Sequence, residues 1–201
     1  MIIILLYIAV VIIAFIFLMC RYDPTTQQWS YVSSMHSARS TAGVAVLNGK
    51  LYVVGGRDSN SCLNTMECYD PHTDRWTPLP SMNVPRGGVG VAVVKGKLYA
   101  IGGHELSDPL NSAEVYDTLT NTWTNVAPMN NARDAVAAVN FGGKLYAVGG
   151  FDGTVYLDSV ECYDADGDSW SVNGELTSGR AGAGVVVMKD FFFKDFPSYV
   201  F

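Results

Sequence analysis

The residues best suited to chemistry in this chain are three histidines, His36, His72 and His104, four cysteines, Cys20, Cys62, Cys68 and Cys162, and the acidic run Asp164-Ala165-Asp166-Gly167-Asp168. Imidazoles and thiolates gathered at one point would bind zinc or supply a nucleophile. Carboxylates at alternate positions resemble part of a calcium loop. The spacing supports none of these. There is no Cys-x-x-Cys pair, no His-Glu-x-x-His, no P-loop, no dinucleotide fingerprint and no nucleophile elbow. The acidic run lacks the distal glutamate of an EF-hand. No catalytic residue, metal or cofactor is expected, and the chemistry that remains is recognition.

What positions these residues is an internal repeat. Trp29, Trp76, Trp123 and Trp170 follow one another at a constant interval, as do Tyr22-Asp23, Tyr69-Asp70, Tyr116-Asp117 and Tyr163-Asp164, and Arg39, Arg86, Arg133 and Arg180. Gly55-Gly56, Gly102-Gly103 and Gly149-Gly150 keep the same step. The three histidines fall at different points of the repeat, so they do not converge. The acidic run occupies the phase of Asp70 to Asp74 and of Asp117 to Asn121, where a turn is expected rather than a metal. Cys68 and Cys162 share a phase with Val115, which reads as a small buried hydrophobe in a reducing compartment.

One unit, residues 86–129, predicts four short strands: Val89 to Val94, Leu98 to Ile101, Ala113 to Tyr116, and Thr122 to Thr124. The turn between the first two is assigned to Gly96-Lys97, and the polar stretch from Asp117 to Asn121 joins the last two. No stretch of these repeats shows helical periodicity. Four antiparallel strands per repeat, with a period near ~50 residues, define propeller blades. The double glycines are expected to carry positive φ where strands crowd the axis, and the repeated Arg and Glu (Glu67, Glu114, Glu161) to tie blades together. Because they are invariant across the copies, these residues read as scaffold.

The double glycine, Tyr-Asp, Trp, Arg and the methionines Met35, Met82 and Met129 together resemble the Kelch repeat. Stretches such as Glu67-Cys68-Tyr69-Asp70-Pro71-His72-Thr73 and Gly179-Arg180-Ala181-Gly182-Ala183 look more narrowly like the C-terminal half of the Kelch domain of kelch-like (BTB-BACK-Kelch) proteins, on the branch of kelch-like proteins one, four and five. The fold this implies is all-β, a partial propeller over residues 21–188. It holds three full four-stranded blades (39–82, 86–129, 133–176) and two half blades (21–35, 179–188). Kelch rings of this kind have about six blades, and in them the last strand returns to complete the first blade, a role that Ala181 to Met188 matches.

Positions where the repeats disagree carry the functional information. After the double glycines stand Arg57-Asp58-Ser59-Asn60, His104-Glu105-Leu106-Ser107 and Phe151-Asp152-Gly153-Thr154, equal in length and different in chemistry. Loops of this kind on a rigid frame are where binding concentrates. The resemblance implies partner contacts at Arg57, Asp58, Asn60, His104, Glu105, Phe151, Asp152 and Tyr156, with Ser40 and Asp134 from the inter-blade loops. It also implies a non-enzymatic module that binds a protein, either a ubiquitination substrate or actin. Docking of a cullin ligase would require BTB and BACK domains that the repeats do not supply. The expected location is the cytoplasm, with cytoskeletal association under the actin reading.

A net charge of −6 and the absence of adjacent basic residues disfavour nucleic acid. Residues 1–20 are a separate problem. Ile2 to Met19 are uncharged and apolar, as a transmembrane helix would be, and a membrane anchor would follow if the segment is genuine. Yet Cys20 stands at the phase of Glu67, so the apolar stretch enters inside a strand without a linker. Translation of an intron's pyrimidine tract accounts for this entry into the repeat better; codons for Ile, Leu, Val, Phe and Met share a middle T, a bias that a transmembrane helix would show equally. Residues 189–201, with Asp190-Phe191-Phe192-Phe193 in place of the Gly-Lys-Leu-Tyr hairpin, are expected to lie outside any blade.

Overall fold

A computed structural model describes residues 19–187; the apolar stretch before Met19 and the tail after Val187 lie outside them. Among the described residues no helix is long and apolar enough to cross a membrane. β1 (Met19–Asp23) and β2 (Gln28–Val32) form an antiparallel pair that includes Met19 and Cys20 ahead of Arg21, with Met19 opposite Val32. Three four-stranded antiparallel sheets follow. The first holds β3 (Gly43–Leu47), β4 (Lys50–Val54), β5 (Met66–Asp70) and β6 (Arg75–Leu79). The second holds β7 (Gly90–Val94) and β8 (Lys97–Ile101), then, after a two-residue hairpin of β9 (His104–Glu105) and β10 (Asp108–Pro109), β11 (Ala113–Asp117) and β12 (Thr122–Val126). The third holds β13 (Ala137–Phe141), β14 (Lys144–Val148), β15 (Ser159–Asp164) and β16 (Ser169–Glu175).

The tight turn of the second blade is Lys95-Gly96, one residue earlier than the sequence suggested, because Val94 pairs with Lys97. Both turn residues have positive φ, 49° and 74°, the type I′ geometry whose twist matches the flanking strands. The expected closing strand is not formed: residues 183–187 belong to no strand. A lone strand cannot satisfy its own backbone N–H and C=O groups, and among the described residues no strand pairs with this one.

The core lies between the sheets rather than within one. Leu47, Val54, Met66 and Met82 of the first blade pack on Val91, Leu98, Tyr116 and Trp123 of the second, and Val94, Ile101 and Met129 on Leu145, Tyr163 and Trp170 of the third. Each buried tryptophan stands opposite a tyrosine on the neighbouring strand, as in Tyr69 and Trp76 with ring centroids 5.1 Å apart. Its indole N–H reaches back across the blade boundary to a carbonyl: Trp76 to Ser33 at 2.7 Å, Trp123 to Pro80 at 3.0 Å and Trp170 to Ala127 at 2.8 Å. Truncating such a residue to alanine costs about 3–5 kcal/mol.

The repeated Arg and Glu knot each inter-blade crossover to the blade that follows it. Arg86 is fully buried and donates to the carbonyls of Gly102 and Ser112, both at 2.9 Å, and to Glu114 at 3.1 Å. Glu114 in turn accepts the crossover's own backbone N–H groups, from Asn83 at 2.7 Å and Val84 at 3.2 Å. Arg133 with Glu161 and Arg39 with Glu67 repeat the arrangement at 2.9 Å each. The double glycine makes room for it. Gly102 has φ of 59°, and a Cβ there would run into the carbonyl oxygen of Arg133, so only glycine fits.

Candidate functional site

Strands β4, β8 and β14 all end at a double glycine, and the loops that follow emerge at one end of the molecule together with the inter-blade crossovers. Short bridges lock loop to crossover. Ser40 and Arg57 exchange two backbone hydrogen bonds of 2.8 Å; Gly87 pairs with His104, and Asp134 with Phe151, in the same manner. A second bridge closes two of the loops, Arg57 to Cys62 and Phe151 to Tyr156. Adjacent loops then touch. Cys62 and the His104 ring both border Gly87, and Gly153 faces Pro109. The result is a continuous belt running from Ser40 and Arg57 through His104 and Asp134 to Phe151 and Tyr156.

The structure divides the ten residues nominated from sequence into two groups. Arg57, Asn60, Glu105 and Tyr156 are exposed, Tyr156 at 64%. Their side chains are free to meet a partner. Asp58 and Asp152 do something else. Asp58 Oδ1 accepts the backbone N–H groups of Asn60 at 2.8 Å and Ser61 at 2.7 Å, and Asp152 Oδ1 those of Thr154 and Val155 at 2.7 and 2.8 Å. The N–H groups of Ser61 and Asn60 hold the Asp58 carboxyl below the usual carboxylate range, and those of Val155 and Thr154 do the same for Asp152. These carboxylates build Asx turns. They shape the loop before they offer anything to a ligand.

Phe151 is only half exposed and stacks on Tyr156 with ring centroids 5.3 Å apart, so it supports Tyr156 rather than standing alone. Ser40 holds its crossover, its hydroxyl donating to the Arg57 carbonyl at 3.3 Å. His104 and Asp134, nominated separately, are bonded to each other at 2.7 Å across the boundary between the second and third blades. Two contributors were missed. Leu106, 83% exposed and with φ of 55°, forms the tip of the β9–β10 hairpin, and Val155 is 53% exposed at the tip of the third loop. Their signal was in the sequence. Apolar residues at loop positions where the other repeats carry Ser, Asp or Gly are not needed by the scaffold.

Among the described residues no cluster of His, Cys, Asp or Glu could hold a metal ion. Asp164 ends β15, and Asp166 and Asp168 lie in the turn before β16. Asp168 accepts from Tyr163 at 2.7 Å and from the Ala127 N–H at 2.8 Å, and Asp166 pairs with Lys95 at 2.8 Å. The belt is therefore a mixed polar surface with a few apolar tips, a surface suited to binding a protein.

An incomplete ring of four-stranded blades, joined by buried Arg-Glu knots and bearing variable loops at one end, defines a class of repeat propeller. The chain belongs to the Kelch-repeat family: the model of the KLHDC2/KLHL20/DRC7 Kelch-repeats domain matches residues 18–194. It is 52% identical over 46 residues to Kelch-like protein 5 of Homo sapiens and 54% identical over 46 residues to Kelch-like protein 1 of Mus musculus. Each stretch covers 23% of this chain and 6% of the relative, so the match spans a small part of those proteins. The F-box/kelch-repeat protein At1g22040 of Arabidopsis thaliana is 55% identical over 38 residues, 19% of this chain and 8% of its own length. The solved structure of YjhT superposes with a TM-score of 0.73 at 21% identity, over 84% of this chain and 64% of that one, and shares the fold.

Proposed function

We propose that this chain is a non-enzymatic protein-recognition module whose loop belt selects a protein partner. One observation carries the reading. Three loops of equal length, held by the same glycine and Arg-Glu scaffold, present Arg57 and Asn60, then Glu105 and Leu106, then Val155 and Tyr156 side by side. A frame that repeats while its adjoining loop tips differ is the arrangement expected of recognition surfaces.

The finer reading is substrate recognition for a cullin ubiquitin ligase, as the likeness to kelch-like proteins implies. In that reading the blades choose the substrate, and docking of the ligase belongs to BTB and BACK domains. It places the chain in the cytoplasm, a setting in which the unpaired thiols Cys20, Cys62, Cys68 and Cys162 remain reduced. The test is a double substitution, Arg57→Ala with Tyr156→Ala, compared with Leu119→Ala at an exposed turn away from the belt. Loss of the loop pair should weaken capture and ubiquitination of a partner by at least about tenfold, with the melting temperature unchanged. Actin cosedimentation that falls instead, with ubiquitination untouched, would replace the adaptor reading by a cytoskeletal one.

A further inference from the structure

The repeat allows each position to be compared with its equivalents one blade away, and two flanks stand out. On β3, Val44 and Val46 are 51% and 55% exposed, whereas Val91, the counterpart of Val44 on β7, is 8% exposed. On β13, Phe141 is 59% exposed, whereas its counterparts Leu47 and Val94 are 6% and 1% exposed. At both internal blade junctions the same contact covers these faces. The inner strand of one blade lays a glycine against the next inner strand. A Cβ on Gly43 would collide with the Val91 side chain, and one on Gly90 would sit 3.1 Å from the Ala138 methyl.

A segment with the same chemistry and phase is present. Gly184-Val185-Val186-Val187 stands where Gly43-Val44-Ala45-Val46 and Gly90-Val91-Ala92-Val93 stand in their blades. The chain is already delivered to the inner-strand position: Gly150 donates to Arg180 O at 2.8 Å, and Gly182 donates to Ala135 O at 2.8 Å as Gly88 does to Thr41 O at 3.0 Å. Beyond that point residues 183–187 join no strand, and Val186 is 79% exposed. By phase, Val185 and Val187 face the chain's own β13, and Gly184 and Val186 face outward toward a surface equivalent to β13's neighbour. Val44 and Val46 of β3 are that surface. Among the described residues the pair β1 and β2 occupies only the outer positions of the preceding half blade, and no strand fills the inner position beside β3.

We propose that Gly184–Val187 of one copy docks on the Val44–Val46 face of a second copy, reproducing the contact that joins the blades internally. The contact is heterologous, because the two faces differ; it therefore closes a ring of copies or propagates. It does not depend on what the loop belt binds, since both flanks lie on the sheets' sides.

The experiment uses the full 201-residue chain. One batch carries Val44→Cys and another Val186→Cys; both sites are exposed, so neither substitution strains the fold. Mixed under mild oxidation, they should form a disulfide-linked pair of chains at least about tenfold faster than Val44→Cys mixed with Leu119→Cys. Adding Val46→Asp to the first batch should reduce that product by a similar factor and shift sedimentation toward monomer. Three results would overturn the proposal. They are equal linkage to the Leu119 site, a chain carrying both cysteines that links to itself rather than to a neighbour, or a monomer at every concentration in which Val46→Asp changes nothing.

Discussion

His104 Nδ1 lies 2.7 Å from Asp134 Oδ1, and this bond joins the loop of the second blade to the crossover that opens the third. The imidazole lies over Gly87, where a Cβ would come within 2.8 Å of the ring, and Asp134 is also the residue that pairs with Phe151. Two side chains that sequence nominated as separate contacts are thus one structural unit in the middle of the belt. Asp134→Ala should free the His104 ring and cost about 1 kcal/mol of stability, measurable by urea denaturation. Gly87→Ala should displace the ring in the other direction and weaken partner binding as strongly as Asp134→Ala does. A partner whose affinity ignores both substitutions does not use the centre of the belt.

The Arg-Glu knots supply an internal control for buried charge. Arg86 and Glu114 are both fully buried, so Glu114→Ala leaves a guanidinium without its counter-charge and strips acceptors from the Asn83 and Val84 N–H groups. Breaking one side of such a pair costs about 3–5 kcal/mol. Arg180 holds the same repeat phase, but among the described residues its guanidinium meets only Ser178, and it is exposed. Arg180→Ala should therefore change stability by less than about 0.5 kcal/mol. Equal effects of the two substitutions would mean that the knots contribute nothing to holding the blades.

Much of this was legible in the residues, and the limits have physical causes. A constant interval between Trp, Tyr-Asp, Arg and Gly-Gly is enough to specify blades, because each marks a fixed place in a repeated sheet. The turn at Lys95-Gly96 was placed one residue late because a glycine at the second turn position reads equally well as the first. The turn-building role of Asp58 and Asp152 is not legible in the sequence, because composition cannot tell a carboxylate that meets a ligand from one that caps its own loop. The His104–Asp134 bond lies between residues from different repeats, and no spacing rule reports a contact that depends on the angle between blades. The strand expected at Ala181 to Met188 followed the pattern faithfully, yet a pattern of side chains makes a strand only where a neighbour offers backbone groups.

Acid should loosen the junction between the β1–β2 pair and the first complete blade. Burial raises the pKa of Glu67, but the His36 N–H and ring, the Ser37 N–H and Arg39 outweigh it and hold the carboxyl below its ordinary value. A folded pKa below the unfolded one, near ~4.3, means that the group's contribution is fully present above that pH. It is lost as the pH falls through the folded pKa. A Glu67→Gln chain should accordingly start less stable at pH 7 and show a shallower loss between about pH 5 and pH 3. Parallel acid unfolding curves for the two chains would contradict the assignment.

The last prediction turns on one repeat that breaks its own rule. In the turn before each fourth strand, Asp74 accepts the Ser33 N–H at 3.0 Å and Asp168 the Ala127 N–H at 2.8 Å, each a bond across a blade boundary. Both also accept from a tyrosine hydroxyl, Tyr69 at 2.8 Å and Tyr163 at 2.7 Å. In the middle blade the position is Asn121, which accepts from Tyr116 at 2.6 Å, and the residue across the boundary is Pro80, which has no N–H to give. The acceptor and the missing donor have changed together. Asn121→Asp alone should gain nothing across the boundary, and Pro80→Ala alone should leave a new N–H facing a weaker, neutral acceptor. Combined, they should recreate the charged bond of the neighbouring blades, with a favourable coupling of about 1 kcal/mol in a double-mutant cycle. Strict additivity would show that the aspartates at Asp74 and Asp168 close their turns without helping to hold one blade to the next.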